Sequence, residues 1–225
     1  MIESARLDLD RRQRLGMVEA VWGEHKSPEQ ISAILQRLED ANELALVTRV
    51  DPDKAAAVVA LATDLSLTYH PNARCLTSAT LPEPDPRLGS VTVLTGGSSD
   101  LTVASEAQLA LLCHGVSTRL LLDVGVAGLH RLLSQLESLR QPQVLIACAG
   151  MEGALPTVLA GLLPQPVIGV PVAVGYGVSA GGMAALHGML ASCAPGLSVV
   201  NIDNGYGAAM AALRILKGAA DRDRP

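Results

Sequence analysis

The sequence predicts a three-layer αβα protein with a doubly wound parallel sheet, preceded by a small α+β domain. From residue 90 onwards, short apolar runs alternate with glycine-rich loops and helical patterns, which is typical of parallel strands covered by helices on both faces. Between Arg140 and Arg214 only Glu152 and Asp203 are charged, where ordinary composition would place roughly eighteen charges. This half of the chain is therefore built to be buried.

The first eighty residues hold most of the charge and predict a mixture of helices and strands. Ser27 and Pro28 match an N-cap followed by proline at the first helical position, so we expect a helix from there to about Asp40. A strand over 44–50, a helix over 52–62 and a strand over 74–78 follow. Three alternating prolines from Pro82 to Pro86 cannot continue a helix or a central strand, which predicts domains at 1–85 and 86–225.

The second domain contains five apolar runs that we interpret as parallel strands, at 91–95, 118–123, 143–147, 167–170 and 197–202. Loops rich in glycine and polar residues follow these strands, at 96–100, 123–125, 149–153, 174–177 and 203–205. In doubly wound sheets, ligands bind outside the carboxyl ends of the strands. The sequence therefore predicts a ligand site along that single edge.

Composition argues against several classes of function. No apolar run is long enough to span a bilayer without interruption, and the N-terminus lacks the regions of a secretory signal, so we expect a cytoplasmic protein that binds no membrane. A net charge of -5 and an aromatic content of 2% provide no surface for nucleic acid. The four cysteines are far apart, without metal-site spacing, and are expected to be reduced thiols.

A helix predicted over 180–193 contains no charged residue. A helix that is apolar all round must be covered on more than one side, and the sheet covers only one. We therefore expect a homo-oligomer in which another copy of the chain covers the remaining face.

The loop after the first core strand, Gly96–Asp100, precedes a helical pattern over 103–112. Its N–H groups and the hydroxyls of Ser98 and Ser99 would suit a phosphate, with Asp100 on a ribose hydroxyl. An ordinary turn in which Asp100 caps the helix explains the pattern equally well.

Three other side chains are candidates for chemistry or binding. Cys193 is predicted at the C-terminal end of its helix, where the dipole disfavours a thiolate, and a buried small hydrophobe is the alternative. His130 begins a helix and suits an anion, although a surface pair is the commoner explanation. Glu152 is expected to be buried among glycines and apolar residues, which would make it a stronger base.

Residues 91–216 resemble the PurE-type aminoimidazole ribonucleotide carboxylases. The resemblance lies in Gly97–Asp100, similar to their nucleotide-binding loop, and in Pro166–Pro171, similar to their fourth strand. Where those enzymes carry a Ser-Ala-His-Arg segment, this chain has Val126–Arg131.

A closer resemblance covers nearly the whole chain. It lies in the segments Leu7–Arg11, Trp22–Gln30, Asp123–Arg131, Ala149–Pro156, Ser192–Ala194 and Asn201–Gly207. These segments resemble the LarB family, the pyridinium-3,5-biscarboxylic acid mononucleotide synthases that begin nickel-pincer nucleotide biosynthesis. These motifs are long and lie in both predicted domains, so the similarity extends beyond a shared fold.

The resemblance implies a reaction and its residues. Nicotinic acid adenine dinucleotide, CO2 or bicarbonate, and water would give the biscarboxylic acid mononucleotide and AMP, with Cys193 adding to the pyridine ring and Glu152 accepting a proton. No tightly bound cofactor is expected, a Mg²⁺ ion for the hydrolysis stays open, and the PurE-like core suggests an octamer. The implied substrate-binding residues are Ser98, Ser99, Asp100, Asp123, Gly125, His130, Gly150, Gly153, Asp203 and Asn204.

Two alternatives stay open from the sequence. One is an aminoimidazole ribonucleotide carboxylase or mutase, in which Cys193 and Glu152 would have no evident work. The other is a nucleotide-binding module that catalyses no reaction. Under the LarB resemblance, the N-terminal domain, including Arg11 and Arg12, is expected to position the adenylate half or the pyrophosphate.

Overall fold

The computed structural model describes residues 6–78 and 80–220. The chain forms two compact units, residues 1–82 and 83–225, and each has a sheet of its own. Within the described residues, no helix has both the length and the apolar content needed to cross a bilayer.

The N-terminal unit is a small α+β structure. Its elements are α1 (Arg11–Leu15), β1 (Ala20–Trp22), α2 (Pro28–Asp40), β2 (Leu46–Thr48), α3 (Pro52–Leu61), β3 (Leu67–His70) and β4 (Cys75–Ser78). The sheet order is β1-β2-β4-β3, with β1 parallel to β2 and the other pairs antiparallel. The strands β1 and β3 were not predicted. Both are short edge strands with mostly part-exposed residues, whereas the predicted β2 and β4 are buried throughout.

Helix α2 begins as the sequence predicts. The N–H of Gln30 donates to Ser27 Oγ at 3.3 Å, and the N–H of Ser27 donates to Gln30 Oε1 at 3.0 Å, which closes a capping box. Ile31, Leu35 and Leu38 recur at helical spacing and are buried against the sheet.

The second unit is the predicted doubly wound domain. Its strands are β5 (Ser90–Thr95), β6 (Ser117–Leu121), β7 (Val144–Ala149), β8 (Val167–Pro171) and β9 (Ser198–Val199), and its helices are α4 (Leu101–Leu112), α5 (Leu129–Leu133), α6 (Leu136–Leu139), α7 (Leu155–Leu162), α8 (Met183–Leu190) and α9 (Gly205–Ala220). All five strands are parallel, in the order β6-β5-β7-β8-β9. The fold class is thereby confirmed.

Helices cover both faces of this sheet. Helices α4 and α9 pack against each other and against the sheet on one side. On the other side, Leu132, Leu139, Leu155 and Met189, from α5 to α8, join buried strand residues in one apolar cluster. The chain turns to β6 on one side of β5 and returns to β7 on the other, so the point where the strand order reverses lies between β5 and β7.

Helix α8 is shorter than the predicted 180–193. Gly181 and Gly182 have φ values of 76° and 78°, in the left-handed region that a right-handed helix excludes. The helix therefore begins only at Met183, and it ends at Leu190, so Cys193 lies three residues beyond it.

Candidate active site

A cleft of about 460 Å³ opens at the carboxyl ends of the core strands. Its lining comes from four loops, at 96–100, 125–131, 149–155 and 174–176, which follow β5, β6, β7 and β8. This volume is in the range of small-molecule sites. The cleft adjoins the reversal of strand order between β5 and β7, where doubly wound sheets bind their ligands.

Asp100 is a buried carboxylate at the base of this cleft. The N–H of Gly97 donates to Asp100 Oδ2 at 2.8 Å, whereas the Asp100 side chain makes no capping bond to α4. Burial raises the pKa of Asp100, although the N–H groups of Gly97, Gly150 and Gly96 act in the opposite direction. The side chain thus joins the loop after β5 to the loop after β7.

Two glycines let the loops approach each other at backbone distance. A Cβ added to Gly125 would lie 2.3 Å from Gly96 O, and one added to Gly150 would lie 2.2 Å from Val174 O. Neither position has room for a side chain. Gly125 and Gly150 therefore shape the cleft through the absence of a Cβ atom.

The loop after β6 brings a cation to the cleft. Arg131 lines the cleft and forms an ion pair with Asp123, which lies outside the lining. The N–H of Asp123 donates to Thr95 Oγ1 at 2.9 Å, which fixes this loop against β5. His130 is exposed and does not line the cleft. Neighbouring helical residues point about 100° apart, so Arg131 faces the cleft instead of His130.

Glu152 lines the cleft. The expectation that it is buried is wrong, because Glu152 is exposed. Its backbone is the part that packs: a Cβ added to Gly188 of α8 would lie 2.4 Å from Glu152 O. Met151 beside it has φ of 54°, a conformation that is strained for methionine.

Three predicted binding residues serve the framework instead of the lining. Asp203 Oδ1 accepts the N–H of Ala173 at 2.8 Å, and so fixes the loop after β8. Asn204 Oδ1 accepts the N–H of Gly207 at 2.8 Å in the first turn of α9. Gly153 packs against α8. None of the three lines the cleft within the part of the chain that is described.

Cys193 is exposed and lies outside the lining of the described cleft. The adjacent Ser192 anchors its segment to α7, because Thr157 Oγ1 donates to Ser192 Oγ at 2.9 Å. Thr157 is in the first turn of α7, five residues after Glu152. The thiol segment and the Glu152 loop thus adjoin the same end of one helix.

Ser99 lines the cleft together with Asp100, whereas the neighbouring Ser98 does not line it. Sequence reasoning did not select Arg131, Met151 or Tyr176, which also line it. Among the described residues, no group of three or more His, Cys, Asp or Glu side chains is placed to hold a metal ion.

The chain matches two protein families, one after the other. Residues 1–80 match the LarB/PurE-like N-terminal domain, and residues 90–223 match AIR carboxylase. An uncharacterised protein of Methanocaldococcus jannaschii is 37% identical over 220 residues, which cover 96% of this chain and 85% of that protein.

The core by itself is similar to further proteins. N5-carboxyaminoimidazole ribonucleotide mutase of Methanocaldococcus jannaschii is 36% identical over 131 residues, which cover 56% of this chain and 78% of the mutase. The crystal structure of Treponema denticola PurE aligns with a TM-score of 0.45 at 17% identity, over 59% of this chain and 91% of that one. With both its domains matched, the chain belongs to the LarB family and has a PurE-like AIR carboxylase core.

Proposed function

We propose that the protein carboxylates the pyridine ring of nicotinic acid adenine dinucleotide and hydrolyses its phosphoanhydride. The products would be pyridinium-3,5-biscarboxylic acid mononucleotide and AMP. The observation that carries this proposal is the placement of an exposed thiol segment and a cleft carboxylate at the same end of α7. Membership of the LarB family supports it.

Cys193 would begin the reaction by adding as a thiolate to C4 of the pyridinium ring. A bound pyridinium is a cation, and its charge favours the thiolate form of a nearby cysteine. The new S–C4 bond interrupts the aromatic ring and leaves C5 as the nucleophilic carbon of an enamine. C5 then attacks CO2, with bicarbonate as its source in solution.

Glu152 would complete the carboxylation as a general base. After the C5–carboxyl bond forms, C5 still carries its proton, and transfer of that proton to Glu152 releases an electron pair. This pair restores the C4–C5 double bond and expels the thiolate of Cys193. The ring is its own electron sink, so the proposal includes no tightly bound cofactor.

The loops after β5 and β6 would hold the mononucleotide phosphate and ribose. Arg131 supplies a planar guanidinium suited to phosphate oxygens. Ser99 supplies a neutral hydroxyl donor. Water attacking a phosphorus of the anhydride would release AMP.

We also propose that the catalytic domain forms a homo-oligomer, with the octamer as the assembly that the family resemblance implies. Large apolar side chains in the segment 176–190 are exposed, among them Val178 at 95%, Tyr176 at 77% and Leu190 at 64%. An exposed apolar surface of this kind is typical of an interface. A second copy would also restrict solvent around the exposed Glu152 and Cys193.

Product analysis tests the reaction. The protein is incubated with bicarbonate and either the dinucleotide or aminoimidazole ribonucleotide, and the products are weighed. We expect a pyridine mononucleotide heavier by one carboxyl group, together with AMP, and no carboxylated product from Cys193→Ala. Carboxylation of the imidazole nucleotide in place of the pyridine would overturn the proposal.

A second candidate is the mutase or carboxylase reaction on aminoimidazole ribonucleotide. It is favoured by the 36% identity with the mutase over 131 residues. That similarity covers only the core, and this reaction gives no role to the exposed Cys193. A module that binds nucleotide without turnover would be stabilised by ligand and yield no product in the same assay.

A further inference from the structure

Trp22 in the N-terminal unit has no role in the proposed carboxylation. It is the last residue of the edge strand β1, and 51% of its surface is exposed. Exposure of so large an apolar ring is unfavourable, and exposed tryptophans are enriched where a ligand or partner covers them. The sequence contains no other tryptophan.

The loop after β1 holds the indole in a fixed orientation. Trp22 Nε1 donates to Glu24 Oε2 at 3.1 Å, and the ring of His25 packs against the indole in a T-shaped arrangement with centroids 4.8 Å apart. Lys54 Nζ donates to the backbone oxygens of Gly23 and Glu24 at 3.1 and 2.7 Å. A ring already held in place loses little conformational entropy when it binds a ligand.

Positive charge surrounds this ring. Lys26 Nζ donates to Trp22 O at 3.0 Å, and Arg49 lies 3.6 Å from Glu24 Oε2. Together with Lys54, these three cations outnumber the nearby carboxylates of Glu24 and of Asp51, which interacts with Lys54. Arg49 also has φ of 57°, an uncommon conformation for a residue with a side chain. An anion attached to a flat ring would complement both the charge and the indole.

We propose that Trp22, with Lys26 and Arg49, forms a binding site for a purine nucleoside monophosphate. The base would stack on the indole and the phosphate would lie against the two cations. The choice of AMP as ligand rests on the proposed function, in which AMP is both the adenylate half of the substrate and a product.

Because Trp22 is the sole tryptophan, the emission of the full-length protein reports on this site alone. The protein is titrated with AMP, with nicotinic acid adenine dinucleotide and with ribose 5-phosphate. We expect saturable quenching by the first two and none by ribose 5-phosphate, which has no base to stack. Quenching by AMP alone would show that the site binds the product. Quenching by both nucleotides would show that the site binds the substrate as well.

Equilibrium dialysis with labelled AMP measures the contribution of each residue. Trp22→Ala should weaken binding roughly 5- to 150-fold, the range that loss of one stacked base gives. Trp22→Phe, which keeps an aromatic face, should retain most of the affinity. Lys26→Ala should weaken binding and reduce its dependence on salt. Cys193→Ala should leave the quenching by AMP unchanged.

Two results would overturn this inference. One is AMP binding that neither alters the emission of Trp22 nor weakens in Trp22→Ala. The other is emission that changes with protein concentration and not with nucleotide, which would show that a second copy of the chain covers the ring. Failure of the carboxylation with the AMP response intact would instead reject only the proposed reaction.

Discussion

All four cysteines lie in the described part of the chain, and Cys193 alone is exposed. Burial raises the pKa of Cys113 to about 12 and that of Cys148 well above its ordinary value. Both groups stay protonated thiols at neutral pH, and protonated thiols react slowly. We therefore expect a thiol reagent to modify Cys193 first in the folded protein.

Peptide mapping after brief alkylation measures this selectivity. Cys193→Ser should lose the fast reaction while denaturant exposes the three remaining thiols. Modification of Cys113 or Cys148 before Cys193 would contradict the burial that the structure assigns to them.

Asp100 gives a second prediction for a single residue. Its pKa is raised by burial from an ordinary 3.8, so the folded protein binds more protons at this site than the unfolded chain does. This contribution to stability is present at low pH, and it is lost as pH rises from about 4 through the raised pKa. An amide does not titrate, so Asp100→Asn does not undergo this pH-dependent loss of stability.

Urea unfolding from pH 4 to pH 7 checks the sign. The free energy of unfolding of Asp100→Asn, relative to the original protein, should increase with pH. A relative stability that decreases over this range would mean that the N–H groups around the carboxylate outweigh its burial.

The scarcity of charged residues between Arg140 and Arg214 indicated which loops contain candidate residues, but it did not indicate what each side chain contacts. Glu152 and Asp203 were both found from the sequence. The structure places Glu152 at the cleft and gives Asp203 a backbone hydrogen bond. Which side chain faces the cleft depends on the loop backbone, where Met151 and Asp203 have positive φ values, and no composition pattern encodes that.

At the level of elements, the four loops around the cleft depend on close backbone contacts. Gly150→Ala would place a methyl group 2.2 Å from Val174 O, a backbone atom that cannot move independently. We expect the free energy of unfolding to fall by about 1–3 kcal/mol. Activity should fall by a larger factor than this change in stability explains, because the loops after β7 and β8 must separate and the cleft changes shape.

Gly161→Ala is the matched control. Gly161 lies in α7, and a Cβ there would meet nothing within 4 Å. Alanine should stabilise the protein by roughly 0.5–1 kcal/mol, which thermal unfolding can measure. Equal effects of the two substitutions would show that the contact at Gly150 is not what constrains the loops.

The buried strands were predictable because a sheet covered on both faces leaves a continuous apolar run, as in Val144–Ala149. The last strand was predicted over 197–202 but comprises only Ser198–Val199, because it pairs with β8 at two positions on the sheet edge. The start of α8 was missed because the prediction followed the uncharged run 180–193, whereas Gly181 and Gly182 adopt left-handed backbone angles that delay the helix to Met183.

For the whole molecule, the exposed apolar segment 176–190 predicts association of the catalytic domain. Val178→Asp would place an unpaired charge in the interface, at a cost of about 3–5 kcal/mol, and should shift the protein to smaller species in light scattering. Val59→Asp, at a position 44% exposed in the N-terminal unit, is the control. A monomeric original protein at micromolar concentration would contradict the proposed assembly.

The central claim is that the sulfur of Cys193 bonds to the pyridine ring during the reaction. Mass spectrometry of the protein mixed with the dinucleotide in the absence of CO2 tests it most directly. We predict an adduct heavier by the nucleotide, mapped by peptide analysis to Cys193 and missing from Cys193→Ala. Carboxylation of the dinucleotide by Cys193→Ala at the original rate, with no adduct in either protein, would contradict the account.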